Sequence, residues 1–421
     1  MRFRRSLVVP VVATALVLTA CGGSGNSAAP SATAPTPGQS GAPTRADADP
    51  VIWTDQLKLA AVQDVAAQFA EAQGISVEVQ AVSTELQTNF VTANSAGNGP
   101  DVVVGAHDWI GNLVQNGAIE PLQLTPEELS GYGEKAVQAV TYDQQLYGVP
   151  YGVEAVALYR NTDIVPDAPK TLDEAIELGT AAVEDGKVDS ALNLPVGENG
   201  DAYHMQPILT SMGGYLFKYS PETGYDASDL GIGKDGSLAA ATRIADLAKQ
   251  NVLRPSISGD NSIALFTEKK AAFLVSGPWA LPDIRESGIN YAIQPIPGFD
   301  GEDAAQPFMG AQAFMVASKA KNAAFAQEFV TRGVNNQEAM QAMYDKAALP
   351  PALTAVADGL SDEDITLFTE AAEAGAPMPA IPEMASVWEP LGKAYAAIVG
   401  GADPESTMTS AGETIQSAIG G

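Results

Sequence analysis

Residues 51–81 read VIWTDQLKLAAVQDVAAQFAEAQGISVEVQA, and this stretch decides the fold class of the chain. Residues 51–53 form a short apolar run of the kind that makes a buried strand. Apolar residues then recur at helical spacing over residues 58–73, and Gly74 ends that pattern. Over residues 75–79 apolar and polar side chains alternate, which predicts a half-buried strand.

The same alternation of strand-like and helix-like patterns continues along the chain. A capping box is predicted at Thr171, whose hydroxyl would accept from the backbone while Glu174 reaches back. Strands that alternate with helices imply parallel sheets joined by right-handed crossovers, so the chain is predicted to be α/β. The periodic patterns predict further strands at 101–104, 153–159 and 271–275, and further helices around residue 90, at 110–115 and at 237–250.

The first residues have the pattern of a secretory signal peptide. Three arginines are followed by an apolar run over residues 7–19, which is too short to span a bilayer, since that needs about 20 residues. The run ends in Leu-Thr-Ala-Cys21, which resembles the bacterial lipobox, where cleavage leaves a lipid-modified cysteine. The alternative is an ordinary signal peptide with an unmodified cysteine. We predict a signal peptide over residues 1–20 and lipidation at Cys21.

Residues 21–49 are predicted to be a flexible linker between the lipid and the folded body. They are rich in Gly, Ser, Ala, Pro and Thr, and such a composition cannot form a core. The whole chain carries a formal charge of −29, which should repel nucleic acid and anionic lipid. We therefore expect no nucleic-acid partner, and contact with the extracellular face of the cell membrane only through the lipid anchor.

Motifs of the common enzyme classes are missing from the sequence. There is no nucleophile elbow, phosphate-binding loop or HExxH motif. With one cysteine and two histidines, the chain makes no case for a disulfide, a metal site or a cofactor. Carboxylates are plentiful, however, and a glycosidase needs only two of them at a set distance across the scissile bond. We predict a non-catalytic protein, with an extracellular glycosidase using Asp108 and either Glu154 or Asp201 as the rival.

Sugar binding needs aromatic rings for the apolar face of a pyranose, and charged or amide groups for its hydroxyl edge. Of the four tryptophans, Trp53 lies in an apolar strand and is predicted to be core. Trp109, Trp279 and Trp388 lie in turn-like contexts. These three are candidates for a sugar site, and core packing is the alternative for each.

Several segments, in order along the chain, resemble bacterial maltose-binding proteins. The resemblance covers nearly the whole chain from Val51, so the chain is identified as a member of this family. The segments that carry it are NGPDVVVGAHD (98–108), GVPYGVEAVALYRN (148–161), GGYLFKY (213–219), SGPW (276–279) and MPAIPEM (378–384) with Trp388.

The resemblance implies a two-lobed periplasmic-binding-protein fold, with interlaced lobes around a central ligand cleft. Three crossings between the lobes are expected near Val153, near 307–310 and near 357–361. The first lobe would combine residues 51–152 with 310–358, and the second lobe would combine residues 154–306 with 361–421.

The resemblance also implies a set of acidic side chains in the cleft. Asp108 matches the family carboxylate that accepts sugar hydroxyls. Glu154 matches the hinge carboxylate, for which a structural hydrogen bond is the alternative. Asp201 stands where the family has a glutamate, and Asp55 lies in the first β–α turn, where the family uses polar side chains.

The aromatic side chains match those of the family at some positions and differ from them at others. Tyr203, Trp279 and Trp388 match the stacking rings of the second lobe. Gly105 replaces the tryptophan that stacks from the first lobe, and Trp109 replaces an arginine. A second arginine, one turn beyond Trp388, is replaced by a glycine. Trp109 either supplies the missing stack or covers the start of its helix.

The function implied is capture of a maltose-type oligosaccharide, maltose or maltodextrin, by a monomeric, lipid-anchored solute-binding protein. The lobes would close over the ligand by hinge bending. The closed form would deliver the sugar to an ABC permease with a cytoplasmic ATPase. Alternatives are a binding protein for trehalose or a modified oligosaccharide, and a surface scaffold without ligand.

Overall fold

A computed structural model describes residues 42–220 and 224–420. The predicted signal peptide, the lipid site at Cys21 and most of the predicted linker lie outside these residues. Within the described ranges, no helix has both the length and the apolar character that a membrane span requires.

The strands are short and fall into two main sheets and two small hairpins. In chain order they are β1 (Val51–Thr54), β2 (Glu78–Ala81), β3 (Val102–Ala106), β4 (Ile119–Glu120), β5 (Thr141–Tyr142), β6 (Gln145–Leu146), β7 (Val149–Glu154), β8 (Ala157–Asn161), β9 (Ser190–Asn193), β10 (Phe217–Ser220), β11 (Gly224–Leu230), β12 (Ala271–Ser276), β13 (Tyr291–Gln294) and β14 (Gly310–Ala317).

Helices cover the faces of both sheets and dominate the last quarter of the chain. They are α1 (Leu59–Gln73), α2 (Leu86–Ser95), α3 (Ile110–Gln115), α4 (Pro126–Leu129), α5 (Glu134–Ala139), α6 (Leu172–Glu184), α7 (Ala202–Ser211), α8 (Asp235–Lys249), α9 (Ser262–Thr267), α10 (Leu281–Ser287), α11 (Ala323–Glu328), α12 (Gln337–Ala347), α13 (Thr354–Ala357), α14 (Glu363–Ala374), α15 (Trp388–Val399) and α16 (Pro404–Ile419). Short 3₁₀ turns precede α3 (His107–Trp109) and α10 (Pro278–Ala280), a third spans Pro382–Ser386, and a π-helical turn spans Phe329–Gly333.

Both main sheets are mixed. The first has the order β2-β1-β3-β14-β4, with β7 also paired to β14. The second has the order β13-β8-β12-β9. The prediction of parallel sheets is right for β2-β1-β3 and for β9-β12, and wrong elsewhere. The reason is that β14 and β8 arrive from the other sheet rather than through a crossover helix, and they run antiparallel to β3 and β12.

Each sheet is buried on both faces. In the first sheet, Ile52 and Phe314 face one apolar cluster, whereas the adjacent residues Val51 and Met315 face another. In the second sheet, Phe273 and Leu274 divide in the same way. Because successive strand residues point to opposite faces, these fully apolar strands require a helical layer on each side.

The chain passes between the two bodies at three places. The first crossing lies between β7 and β8, and the second between β13 and β14. The third follows α13, whose Val356 packs in the first body, and leads to α14, whose Phe368 packs in the second. Residues 309 and 377 pair as a parallel β-bridge, so the second crossing and the segment after the third one lie side by side.

Two local predictions need correction. The segment predicted as one strand over residues 153–159 is two strands in different sheets, because the first crossing interrupts it at 155–156. The capping box at Thr171 is only half formed. Thr171 accepts from the Glu174 amide at 3.1 Å, but the Glu174 carboxylate accepts from the amide of Lys170 instead.

The C-terminal end of the predicted linker is held on the first body. Arg45 donates to the carbonyl of Gly99 at 2.9 Å and to the carboxylate of Asp101 at 2.7 Å. Asp101 is fully buried and accepts from the Val51 amide as well, so a buried charge must be paired at this point. The folded body therefore starts several residues earlier than the composition predicts.

Candidate functional site

The loops after β1 and β3 meet at one edge of the first sheet, because these are neighbouring parallel strands. Asp108 lies in the 3₁₀ turn after β3, is 8% exposed and accepts a hydrogen bond from the Trp388 side chain. Burial raises the pKa of Asp108 to about 7. The Trp388 hydrogen bond opposes this rise, and the charge of Glu154 adds to it.

Asp55 follows β1 at the same edge. Its carboxylate accepts from the Lys58 amide at 3.1 Å and forms an ion pair with the Lys58 ammonium. Both side chains are partly buried and lie near Glu154, whose ionisation Lys58 favours and Asp55 opposes. Both carboxylate oxygens of Asp55 are thus bound by Lys58, the residue before α1. Lys58 supplies a positive charge to this region.

Glu154 ends β7, opposite Gly310 of β14, and is buried. Its Oε1 accepts from Gln312 Nε2 at 2.8 Å. Burial raises the pKa of Glu154 above its ordinary value, while Lys58 and the Gln312 hydrogen bond oppose that rise. The alternative role for Glu154, a structural hydrogen bond at the hinge, is therefore present, but the second carboxylate oxygen is not used in it.

Asp201 is the N-cap of α7 and accepts from the His204 amide at 2.9 Å. Its other oxygen lies 2.7 Å from His204 Nδ1. Burial disfavours the charged form of Asp201, but the hydrogen bonds and charge of His204 outweigh burial and lower its pKa. Both oxygens serve helix α7, so Asp201 is less free to accept from a ligand than the resemblance implies.

The ring of Trp109 lies against Gly105. A Cβ atom at position 105 would stand 2.1 Å from Cζ3 of the Trp109 ring, so only glycine fits there. The ring is partly buried and packs on the cluster that contains Ile110. The space of a side chain at position 105 is thus filled by the ring of Trp109.

Trp279 repeats this arrangement in the second body. A Cβ atom at Gly277 would also lie 2.1 Å from Cζ3 of the Trp279 ring. Trp279 is partly buried and packs against both apolar clusters of the second sheet. It therefore combines a packing role with a partly exposed surface.

Aromatic side chains form a continuous row beside the acidic groups. Phe308 stands at the centre, 6.0 Å from the Tyr203 ring and 5.9 Å from the Trp388 ring. Trp279 lies 6.1 Å from Tyr203 and 5.9 Å from His204. Since Trp388 is hydrogen-bonded to Asp108, the row runs from the second body to the carboxylate of the first.

Two hydroxyl groups in this region are buried without a hydrogen-bond partner among the described residues. They belong to Tyr151 of β7 and Tyr203 of α7. Tyr151 lies near Glu154 and Asp55, and Tyr203 lies near Glu154, Asp201 and Asp108. A buried polar group normally has a partner, and a ligand bound beside these carboxylates would supply one for each hydroxyl.

Contacts and charges link seven of the eight predicted site residues in one region, and Trp109 adjoins it as the residue after Asp108. Five further residues that were not predicted also belong to this region. The added residues share no sequence signal of their own: one follows a predicted site residue directly, one lies three residues beyond another, two belong to buried strands, and one adjoins a crossing. They are Lys58, Tyr151, His204, Phe308 and Gln312.

The region is predominantly acidic. It holds four carboxylates, from Asp55, Asp108, Glu154 and Asp201, and Lys58 is paired with Asp55 and lies near Glu154. This charge disfavours anionic solutes, whereas acceptor oxygens beside aromatic rings suit a neutral polyhydroxylated ligand.

A groove of about 1030 Å³ lies elsewhere, between α5 and residues 375–377. Its walls include Tyr132, Lys135 and Tyr219 and none of the four carboxylates. The two unpartnered hydroxyls do not face it, so we assign the functional site to the acidic and aromatic region.

Two α/β bodies with three crossings, and with acidic and aromatic side chains collected where the bodies meet, define the class of two-lobed solute-binding proteins. The chain belongs to the family of bacterial extracellular solute-binding proteins, whose family model matches residues 64–374. The predicted family, the two-lobed α/β fold and the non-catalytic role are thereby confirmed.

Curated relatives match over most of the chain. A galactooligosaccharide-binding protein of Bacillus subtilis is 29% identical over 380 residues, covering 88% of this chain and 89% of the relative. A maltodextrin-binding protein of the same organism is 29% identical over 367 residues, 84% of this chain and 85% of the relative. A maltooligosaccharide ABC transporter solute-binding lipoprotein of Streptococcus pneumoniae is 26% identical over 403 residues, 92% and 91% of the two chains.

Proposed function

We propose that this protein captures a neutral oligosaccharide of the maltose type, maltose or maltodextrin, outside the cell. The observation that carries the proposal is the row of aromatic rings beside Asp108 and Glu154, with two unpartnered tyrosine hydroxyls in the same place. Rings pack on the apolar faces of pyranose units, and the carboxylates accept hydrogen bonds from their hydroxyl groups.

A galacto-oligosaccharide is the second candidate. It is favoured by the galactooligosaccharide-binding protein of Bacillus subtilis, which is as similar to this chain as the maltodextrin-binding relative is. The ring of Trp109 over Gly105 would contact either sugar, since stacking depends on the apolar face of the ring rather than on one hydroxyl.

Calorimetric titration with maltotriose, galactotriose and trehalose tests the choice of ligand. Tightest binding of maltotriose supports the maltose type, and tightest binding of galactotriose replaces it with the second candidate. Chromatography after prolonged incubation should recover the bound sugar intact, because the proposed protein has no catalytic step.

The two tyrosine hydroxyls allow a sharper test with a matched control. Tyr203→Phe removes only the hydroxyl, so it should weaken sugar binding about tenfold, or 1.4 kcal/mol, without loss of thermal stability. Tyr395 has a buried hydroxyl that is likewise unpartnered among the described residues, but it lies in the core of the second body. Tyr395→Phe should therefore leave sugar binding unchanged, and equal effects of the two variants would contradict the site.

The last part of the proposal concerns the membrane anchor and the delivery of the bound sugar to a transporter. The protein would be a monomer, attached to the outer face of the cell membrane by a lipid on Cys21, and would present the sugar to an ABC permease with a cytoplasmic ATPase. The lipoprotein from Streptococcus pneumoniae supports both the anchor and the transporter. Cys21→Ser should release the protein into the medium with sugar binding intact, and retention on washed membranes would contradict the anchor.

A further inference from the structure

His107, the residue before Asp108, is fully buried and uses both ring nitrogens. Nδ1 accepts from the backbone N–H of Ala311 at 3.0 Å, and Nε2 lies 3.1 Å from the carbonyl oxygen of Met378. An N–H group can only donate and a carbonyl oxygen can only accept, so the ring must be neutral with its proton on Nε2.

The two backbone partners of His107 belong to two distant segments, one directly after the second crossing and the other directly after α14. Ala311 lies at the start of β14, just after the second crossing. Met378 follows the third crossing and donates its amide to the Met309 carbonyl at 2.9 Å. The Met309 amide in turn donates to the Ala376 carbonyl at 2.9 Å. The imidazole of the first body therefore fastens the start of β14 to the segment after α14, which packs in the second body.

The same contacts lead directly to the two buried carboxylates of the cleft. Asp108 is the next residue after His107 and shares its 3₁₀ turn. Gln312 is the next residue after Ala311, and its amide nitrogen donates to Glu154. A displacement of the His107 ring would thus move Asp108 through the turn, and Glu154 through β14.

We propose that His107 is a positioning residue that couples the second crossing and the segment after α14 to Asp108 and Glu154, and thereby sets ligand affinity. The effect on sugar rests on the proposed function, whereas the coupling to these two segments does not. Burial lowers the pKa of His107 to about 4, so the neutral ring that the contacts require is maintained at neutral pH.

Lys135 provides a matched comparison, because it also holds the segment at the end of α14. From α5 it donates to the carbonyl oxygens of Glu373 and Gly375, the latter at 2.9 Å. It touches neither Asp108 nor Glu154 in these contacts. A variant at Lys135 therefore loosens the same segment without a direct route to the carboxylates.

Two substitutions separate the two hydrogen bonds of the imidazole. His107→Asn places an acceptor near the position of Nδ1 and loses the bond to Met378. His107→Gln places a donor near the position of Nε2 and loses the bond to Ala311. Lys135→Met is the control. For each variant, calorimetric titration with maltotriose and galactotriose would measure the sugar affinity. Thermal unfolding would measure the stability, and hydrogen exchange would measure the protection of individual amides.

We expect both His107 variants to bind the preferred sugar at least tenfold more weakly, and Lys135→Met to change affinity less than threefold. Exchange of the Ala311 amide should accelerate in His107→Gln and stay near wild type in His107→Asn. Lower melting with wild-type sugar affinity in both His107 variants would overturn the proposal.

If wild type binds neither sugar, the proposed function is refuted. Hydrogen exchange then still tests whether His107 couples these segments to Glu154. The amides that pair β7 with β14, around Glu154, report the coupling without a ligand. Faster exchange there in His107→Gln, but not in Lys135→Met, supports the coupling. Faster exchange at Ala311 alone would overturn it.

Discussion

The connection from β3 to α3 in the first body and the connection from β12 to α10 in the second follow one plan. Each is a central strand followed by a 3₁₀ turn that carries a tryptophan, Trp109 or Trp279. In each, the ring lies against a glycine with no room for a side chain. The two lobes therefore present similar rings from similar positions at the ends of their sheets.

The residues around the two rings differ in kind. The turn of the first body adds buried His107 and Asp108, whereas the turn of the second adds Pro278 and Ala280. The first connection thus combines a ring with charge and with contacts to the crossings, and the second supplies an apolar ring. A ligand held between them needs a polar edge and an apolar face, as a pyranose has.

The largest effect is expected from removing the charge of the first connection. Asp108→Asn keeps the shape and the acceptor for Trp388 but cannot carry the charge that favours sugar hydroxyl donors. Hydrogen bonds to charged groups contribute about 1.5–3 kcal/mol, so calorimetry at pH 8 should show a loss of roughly 10- to 100-fold in sugar affinity. A loss below threefold would mean that Asp108 is not a ligand contact.

The same substitution should stabilise the protein at pH 8. The pKa of Asp108 is raised from 3.8 to about 7 in the folded state, so the folded state binds more protons over that interval. Wild type therefore loses stability as the pH rises from about 4 to 7, by roughly 2–4 kcal/mol, and the variant avoids this loss. Denaturant unfolding at pH 4 and pH 8 measures the difference, which should be small at pH 4.

Removing the ring of the second connection should have the next largest effect. If Trp279 stacks on a pyranose, Trp279→Ala should lower affinity about 30-fold, or roughly 2 kcal/mol. Because the ring also packs on two apolar clusters, some loss of thermal stability is expected. A purely structural ring would instead lower the free energy of unfolding by about 3–5 kcal/mol and leave affinity unchanged.

The first connection shows how far the sequence could lead. Asp108 is predicted as a site residue because it matches a carboxylate of the family that the sequence resembles, and Trp109 because it lies in a turn-like context. The role of Gly105 was not, since it depends on a ring four residues later that folds back onto the strand. From the sequence, His107 is only one of two histidines, too few to indicate a metal site, and its role is hidden because its hydrogen-bond partners are backbone groups more than 200 residues away.

The missed residues have a common physical reason. Gln312 is a polar residue in a buried strand, and its meaning depends on Glu154, which is 158 residues away along the chain. Phe308 connects rings from α7 and α15, which no local pattern brings together. The periodicity of a strand or helix indicates which of its faces is buried. It does not indicate which residues from distant parts of the chain meet at that face.

A matched pair of glycine substitutions compares the two connections directly. Gly105→Ala and Gly277→Ala each introduce a Cβ atom 2.1 Å from a tryptophan ring, so either ring must move. If both rings contact sugar, each variant should lose about tenfold in affinity by calorimetry. Loss in Gly277→Ala alone would show that Trp109 only covers the start of α3.

The smallest effect is expected where the two lobes touch through Trp388 and Asp108. Trp388→Phe keeps an aromatic ring but removes the N–H donor that lowers the pKa of Asp108, so this pKa should rise further. A smaller fraction of Asp108 is then ionised at pH 7, so sugar affinity should fall about threefold there. It should recover at pH 9, where Asp108 is ionised in both wild type and variant.

Trp279→Phe makes the same change in a ring of the second connection and should show no such recovery. Calorimetry at pH 6, 7 and 9 on both variants separates the two cases, and a pH-independent loss in Trp388→Phe would mean that its ring, rather than its hydrogen bond to Asp108, is what the ligand requires.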